Sequence, residues 1–104
     1  MTLQEKRAYL SLYPLQQIKI ERLRSLIFKN PDRRDIYKAT LHRAERLRNE
    51  IEDAIDEIDN GLLTEILSQK YLCGVSLEDI ADMLNYSKRQ IERLHIIALE
   101  QLKL

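Results

Sequence analysis

Residues 87–93 read Ser-Lys-Arg-Gln-Ile-Glu-Arg. Helical spacing turns Ile91 inward, together with Leu94 one turn further on. Lys88, Arg89, Gln90, Glu92 and Arg93 are left pointing outward, behind Ser87. Their chemistry is directional hydrogen bonding. Arginine can bridge the O6/N7 edge of guanine, glutamine can bridge adenine, glutamate can accept from the cytosine amino group, and lysine can pair with phosphate. The same residue types also make an ordinary solvated helix face, so the flanking residues decide between the two. No Ser/His/Asp grouping, glycine-rich phosphate loop or pair of carboxylates in a cleft is apparent, so catalysis has no support.

The flanking stretch is Leu77–Leu94, LEDIADMLNYSKRQIERL. It reads as two short helices joined by a tight turn. Leu77, Ile80, Leu84, Tyr86, Ile91 and Leu94 are apolar, and Ala81 supplies the small side chain that a close helix crossing needs. Asn85 falls at the turn, where a left-handed backbone is expected and asparagine tolerates it better than most residues. Ser87 is the expected N-cap of the second helix, with Gln90 completing a capping box. This is the pattern of a helix-turn-helix, whose second helix enters the major groove of DNA. Tyr86 is expected to plug the core. His95 is expected to be a partly exposed packing residue with at most a phosphate contact.

The remaining elements must position that pair. Thr2-Leu3-Gln4-Glu5 fits a capping box at the start of a first helix. Pro14 interrupts that helix, so that either one helix bends near Ser11–Pro14 or a new one starts with Ser11 as cap. Leu15, Ile18, Leu23, Leu26 and Ile27 carry an apolar stripe to about Phe28. Asn30-Pro31-Asp32 suits an N-cap, a first helical position and the positive end of a helix dipole. The short link implies an antiparallel hairpin. The second long helix is expected to run to about Asp59, with Tyr37, Thr40, Ala44, Leu47, Ile51, Ala54 and Ile58 forming a heptad seam. That seam is either the core of the hairpin or a dimerisation surface. Gly61 is expected as a left-handed C-cap after Asn60, and a third helix over Leu62 to about Cys73 ends at Gly74. Ser76 caps the next helix.

Composition agrees with an all-α chain. Its 104 residues include two glycines and two prolines, with 33% charged residues and 44% apolar ones. Net charge is zero, with 17 basic and 17 acidic residues, which counts against a strongly basic nucleic-acid binder. Residues 1–30 carry six bases and two acids, 31–60 six and nine, and 61–104 five and six. DNA affinity must come from a local patch, from dimerisation or from a partner. The acidic run from Glu50 to Asp59 is expected to be a solvated face turned away from DNA. A lone Cys73 excludes an internal disulfide and a thiolate metal cluster, and it is expected to be buried. His42 has no spaced partners for a metal set. No metal or cofactor is expected. No apolar stretch has the length of a membrane span, and MTLQEKRAYL lacks the apolar core of a signal peptide, so a cytoplasmic location is expected.

From about Leu62 to Leu104 the chain resembles the fourth, helix-turn-helix region of bacterial sigma-70-type factors. The likeness is carried by Tyr71-Leu72-Cys73-Gly74, by Ser76 to Ala81, by Ser87 to Arg93 and by Ala98-Leu99-Glu100-Gln101-Leu102. Over its full length it is similar to small phage and prophage proteins of Gram-positive bacteria, some of them late-gene transcriptional regulators. The resemblance implies promoter recognition, with RNA polymerase as a possible contact, and DNA-reading positions at Ser87, Lys88, Arg89, Gln90, Glu92 and Arg93. The promoter-melting and core-binding regions of a full sigma factor are missing here, and Asn85 stands where glycine is commoner.

The expected architecture is therefore all-α. A helical hairpin over residues 1–60 would serve interaction or dimerisation, and a helix-turn-helix domain over residues 61–104 would bind double-stranded DNA as a transcriptional regulator. A homodimer is the expected assembly, with no membrane and no small-molecule substrate. Two alternatives use the same helices. One is a protein-interaction module that binds RNA polymerase or another phage protein without touching DNA. The other is a DNA-packaging adaptor.

Overall fold

The computed structural model describes residues 1–104, and all regular structure in it is helical. Helix α1 spans Leu3–Leu10, α2 Tyr13–Lys29, α3 Arg34–Asp56, α4 Gly61–Leu67, α5 Leu77–Leu84 and α6 Lys88–Gln101. A 3-10 turn at Pro31–Arg33 precedes α3, and a π-helical segment at Ser68–Leu72 follows α4. No helix is long and apolar enough to cross a membrane.

Local chemistry sets most of the boundaries. Thr2 and Glu5 form the reciprocal capping box at the head of α1, with both bonds at 3.1 Å. Ser11 is not the cap of α2. Its hydroxyl donates back to the Arg7 carbonyl at 2.7 Å and closes α1. Helix α2 begins one residue past Leu12 with Pro14 in its first turn, where a missing N–H costs nothing. Asn30 likewise does not cap α3. Its amide donates to the Leu26 carbonyl and closes α2, and Pro31 then starts the 3-10 turn. Helix α3 ends at Asp56, earlier than expected, and Gly61 is not left-handed. Asn60 accepts from the Leu63 N–H at 3.1 Å and caps α4, with Gly61 as the first helical residue. The expected single helix over Leu62–Cys73 widens into the π segment, closed by the Cys73 N–H on the Ser68 carbonyl at 3.1 Å. Gly74, at φ +72°, ends it in the left-handed region as expected.

Helices α2 and α3 run antiparallel. The Tyr13 hydroxyl donates to Glu52 at 2.6 Å near one end, and Arg24 pairs with Glu45 at 3.0 Å further out. Ala44, Ile51 and Ile58 of the heptad seam are buried, but Thr40, Leu47 and Ala54 are only half covered. The stripe therefore sits partly off the axis that faces α2.

Two apolar clusters hold the rest. The larger joins Leu10 and Tyr13, Ile51, Ile55 and Ile58 to Leu63, Leu67, Tyr71, Ala98, Leu99 and Leu102. It draws on both sides of Asn60–Gly61. The smaller brings Ile66 of α4, Ile80 and Ala81 of α5 and Ile91 of α6 together, with Val75, Leu77, Leu84 and Leu94 around them. Cys73 is exposed, against expectation, because it follows the π segment on the outer side of the turn to Gly74.

One buried cation fastens the N-terminal helix to the C-terminal one. The Lys6 ammonium donates to the carbonyls of Leu99 and Leu102, each at 2.9 Å, and to that of Glu100 at 3.4 Å. Helix α6 has no basic residue in its last turn. Lys6 supplies from outside both the hydrogen bonds and the positive charge that a helix C-terminus favours.

Candidate nucleic-acid interface

The α5–α6 corner is built almost entirely from nearby residues. Ser76 accepts from the Asp79 N–H at 3.1 Å and starts α5. Asn85 adopts φ 60° and ψ 39°, the left-handed conformation expected from its type. The Tyr86 N–H then reaches the Ala81 carbonyl at 3.0 Å and the Asn85 N–H that of Asp82 at 3.4 Å, which is the Schellman closure. The next start follows at once. Ser87 accepts from the Gln90 N–H at 3.1 Å, and the Gln90 side-chain oxygen accepts from the Ser87 N–H at 2.9 Å. Ala81 is buried where α5 meets α6, and its methyl leaves room for the crossing.

All six sequence-predicted residues are exposed and lie together on the first two turns of α6. Ile91 is fully buried and anchors the opposite side. Lys88, Arg89, Glu92 and Arg93 make no hydrogen bond or ion pair within the chain; the only ion pair is Arg24–Glu45. Arg89 and Arg93, four residues apart, share one line along the outer face. Residues 87–93 carry three bases against one acid, a local net charge of +2. On α5 the exposed side chains Glu78, Asp79 and Asp82 have the opposite sign. The start of α6 is thus locally positive and the exposed side of α5 locally negative. Gln90 is less free than expected. Its oxygen is held in the capping box, so a bidentate contact with adenine requires that bond to be released.

Two neighbours of this face differ from expectation. Tyr86 is not a core plug: it is exposed, because the left-handed Asn85 swings the chain away from the crossing. His95 is not partly exposed. It is 3% accessible, and its Nε2 lies 2.8 Å from the Tyr71 hydroxyl with the rings stacked. Burial pushes its pKa from the ordinary 6.5 down to about 4, and the positive charges of Arg7 and Lys70 act in the same direction. Burial likewise raises the Tyr71 hydroxyl above its usual value, with Arg7 working against the shift. Neither residue is available to a phosphate on the outer face of α6. No local signal in the sequence reveals this pair, because its members are 24 residues apart. Further along α6 the outer face turns apolar: Ile96 and Ile97 are exposed, as is Met83 of α5.

No three His, Cys, Asp or Glu side chains come close enough together to hold a metal ion. The acidic stretch Glu50, Asp53, Asp56, Glu57 and Asp59 is solvated on α3 and the turn that follows it. No protein-family model matches the chain, and no curated protein or solved structure is detectably similar to it.

Proposed function

We propose that this protein binds double-stranded DNA and regulates transcription, with the first two turns of α6 laid in the major groove. The observation that carries the reading is the set of unpaired, exposed side chains Lys88, Arg89, Glu92 and Arg93 behind the Ser87 cap, on a helix backed by α5 across a left-handed Asn85 turn. In this reading α4, α5 and α6 form a helix-turn-helix domain like the fourth region of sigma-70-type factors, and the α2–α3 hairpin is its interaction arm. A phage or prophage origin and contact with RNA polymerase belong to the same proposal.

A lone module with a local charge of +2 makes few phosphate contacts. A homodimer doubles them, and the hairpin has surface to offer for one. Leu15 is exposed on α2, 48% accessible, beside the half-covered seam residues Thr40 and Leu47, and Ile18, 63% accessible, lies on the outer side of the same helix.

Binding to random-sequence duplex across a salt series tests the reading. Affinity should fall steeply with salt, and Arg89→Ala or Arg93→Ala should weaken binding to a selected site by about 1–3 kcal/mol each. Lys88→Ala should weaken all duplexes alike and lower the salt slope by about one. A wild-type protein with no salt-sensitive affinity for any duplex, alone or beside polymerase, rules the reading out.

A second reading has one observation in its favour. The exposed Ile96 and Ile97 make the distal part of the outer α6 face apolar, which suits a protein partner better than a phosphate backbone. Ile96→Lys with Ile97→Lys separates the two: it disrupts a protein contact there and spares a DNA contact centred on Arg89.

A further inference from the structure

Behind the outer face of α6 lies a cavity of about 450 Å³, between α1, the π segment and the inner side of α6. Arg7 of α1 and Lys70 of the π segment line it, Tyr71 and His95 face it, and none of its lining residues is acidic. Neither cation has a carboxylate partner. Lys70 instead lies 5.5 Å over the Tyr71 ring. Helix α5 contributes only the uncharged Leu77 to this wall. Two positive charges therefore converge on one concavity with nothing to balance them.

His95 supplies the direction. It is 97% buried, and only its Nε2 has a protein partner. The Tyr71 hydroxyl makes no other hydrogen bond. Donation to His95 Nε2 is the arrangement that leaves no buried O–H unpaired, and it places the proton of the neutral ring on Nδ1. That N–H has no acceptor in the chain. A monovalent carboxylate would leave one of the two cations unpaired, whereas a phosphoryl dianion matches both.

We propose that Arg7, Lys70 and the Nδ1–H of His95 form a seat for a dianionic phosphoryl group, either free inorganic phosphate or the terminal phosphate of a monoester. The seat is separate from the outer face of α6 and does not depend on that face reading DNA. A bound dianion offsets Arg7 and Lys70 at the imidazole, so it also favours protonation of His95.

The test follows the His95 ring resonances of the full chain by NMR, with inorganic phosphate titrated against sodium chloride at matched ionic strength, and then with the monoester phenyl phosphate. The expected result is a saturable change at His95 and a rise of its titration midpoint by about one unit or more. Both should be lost in the double variant Arg7→Gln, Lys70→Gln, which removes two surface-accessible charges and leaves the apolar clusters intact. A response to inorganic phosphate assigns the seat to the free anion. A response only to phenyl phosphate, lost in the double variant, assigns it to the terminal phosphate of a monoester. An equal response to chloride, an unchanged response in the double variant, or no response to either phosphate overturns the proposal.

Discussion

His95 and Lys6 are the residues whose roles depend most on distant parts of the chain. The His95 ring is neutral at pH 7 and resists protonation until about pH 4. Above pH 6.5 it is uncharged in both the folded and the unfolded chain and contributes no pH dependence. Between 6.5 and 4 the unfolded chain takes up a proton that the folded one refuses, so stability falls as pH falls. The loss is on the order of 3 kcal/mol by pH 4. Urea denaturation at pH 7 and at pH 4.5 should reveal it, and His95→Gln should flatten that part of the profile. Lys6→Met keeps the aliphatic stem but removes three contacts to the end of α6. It should destabilise the protein by about 2 kcal/mol, measured by denaturant midpoint. Neither role was readable from the sequence. Lys6 looks like any charged residue of an amphipathic first turn, and its acceptors are more than ninety residues away. His95 is covered by α1 and the π segment, neither of which is its neighbour in sequence.

Elements were readable to the extent that their signals were local. Thr2, Ser76 and Ser87 cap as their types and the following residues imply, and Asn85 takes the left-handed turn. Reading failed where two elements competed for one polar side chain. Ser11 and Asn30 each sit between two helices and close the earlier one. Asn60 does the reverse and opens the later one, which removes any need for a left-handed Gly61. The π segment has no compositional mark at all. The corner itself makes a sharp prediction. Asn85→Val should destabilise by about 1–2 kcal/mol, because a β-branched residue is strained at φ 60°. Asn85→Gly should be neutral or mildly stabilising. Thermal melts of the two variants distinguish a true left-handed turn from a flexible linker, which would tolerate both.

At the scale of the whole molecule, the chain is longer than a compact domain of its size. Its radius of gyration is 16.3 Å and its extents are 53 × 27 × 21 Å, against roughly 13 Å expected for a compact 100-residue domain. The excess is the α2–α3 hairpin, whose far end carries Phe28 at 85% and Ile36 at 68% exposure. The all-helical class followed from composition and periodicity. The joining of the two halves did not, because Leu10 and Tyr13 near one end of the chain and Ile51 at its middle have to meet Leu99 and Leu102 at the other end. A fragment of residues 61–104 lacks half of that cluster and should show no cooperative melt by circular dichroism. Molecular mass in solution checks the assembly, and the proposed function expects a dimer.

The most direct measurement on the central claim is amide chemical-shift mapping of the full chain on adding duplex DNA. DNA read by α6 should concentrate the perturbations at residues 87–93 and leave the far end of the hairpin, around Phe28 and Ile36, unmoved. Perturbations that bypass residues 87–93 would contradict it, as would a spectrum unchanged by any duplex in low salt.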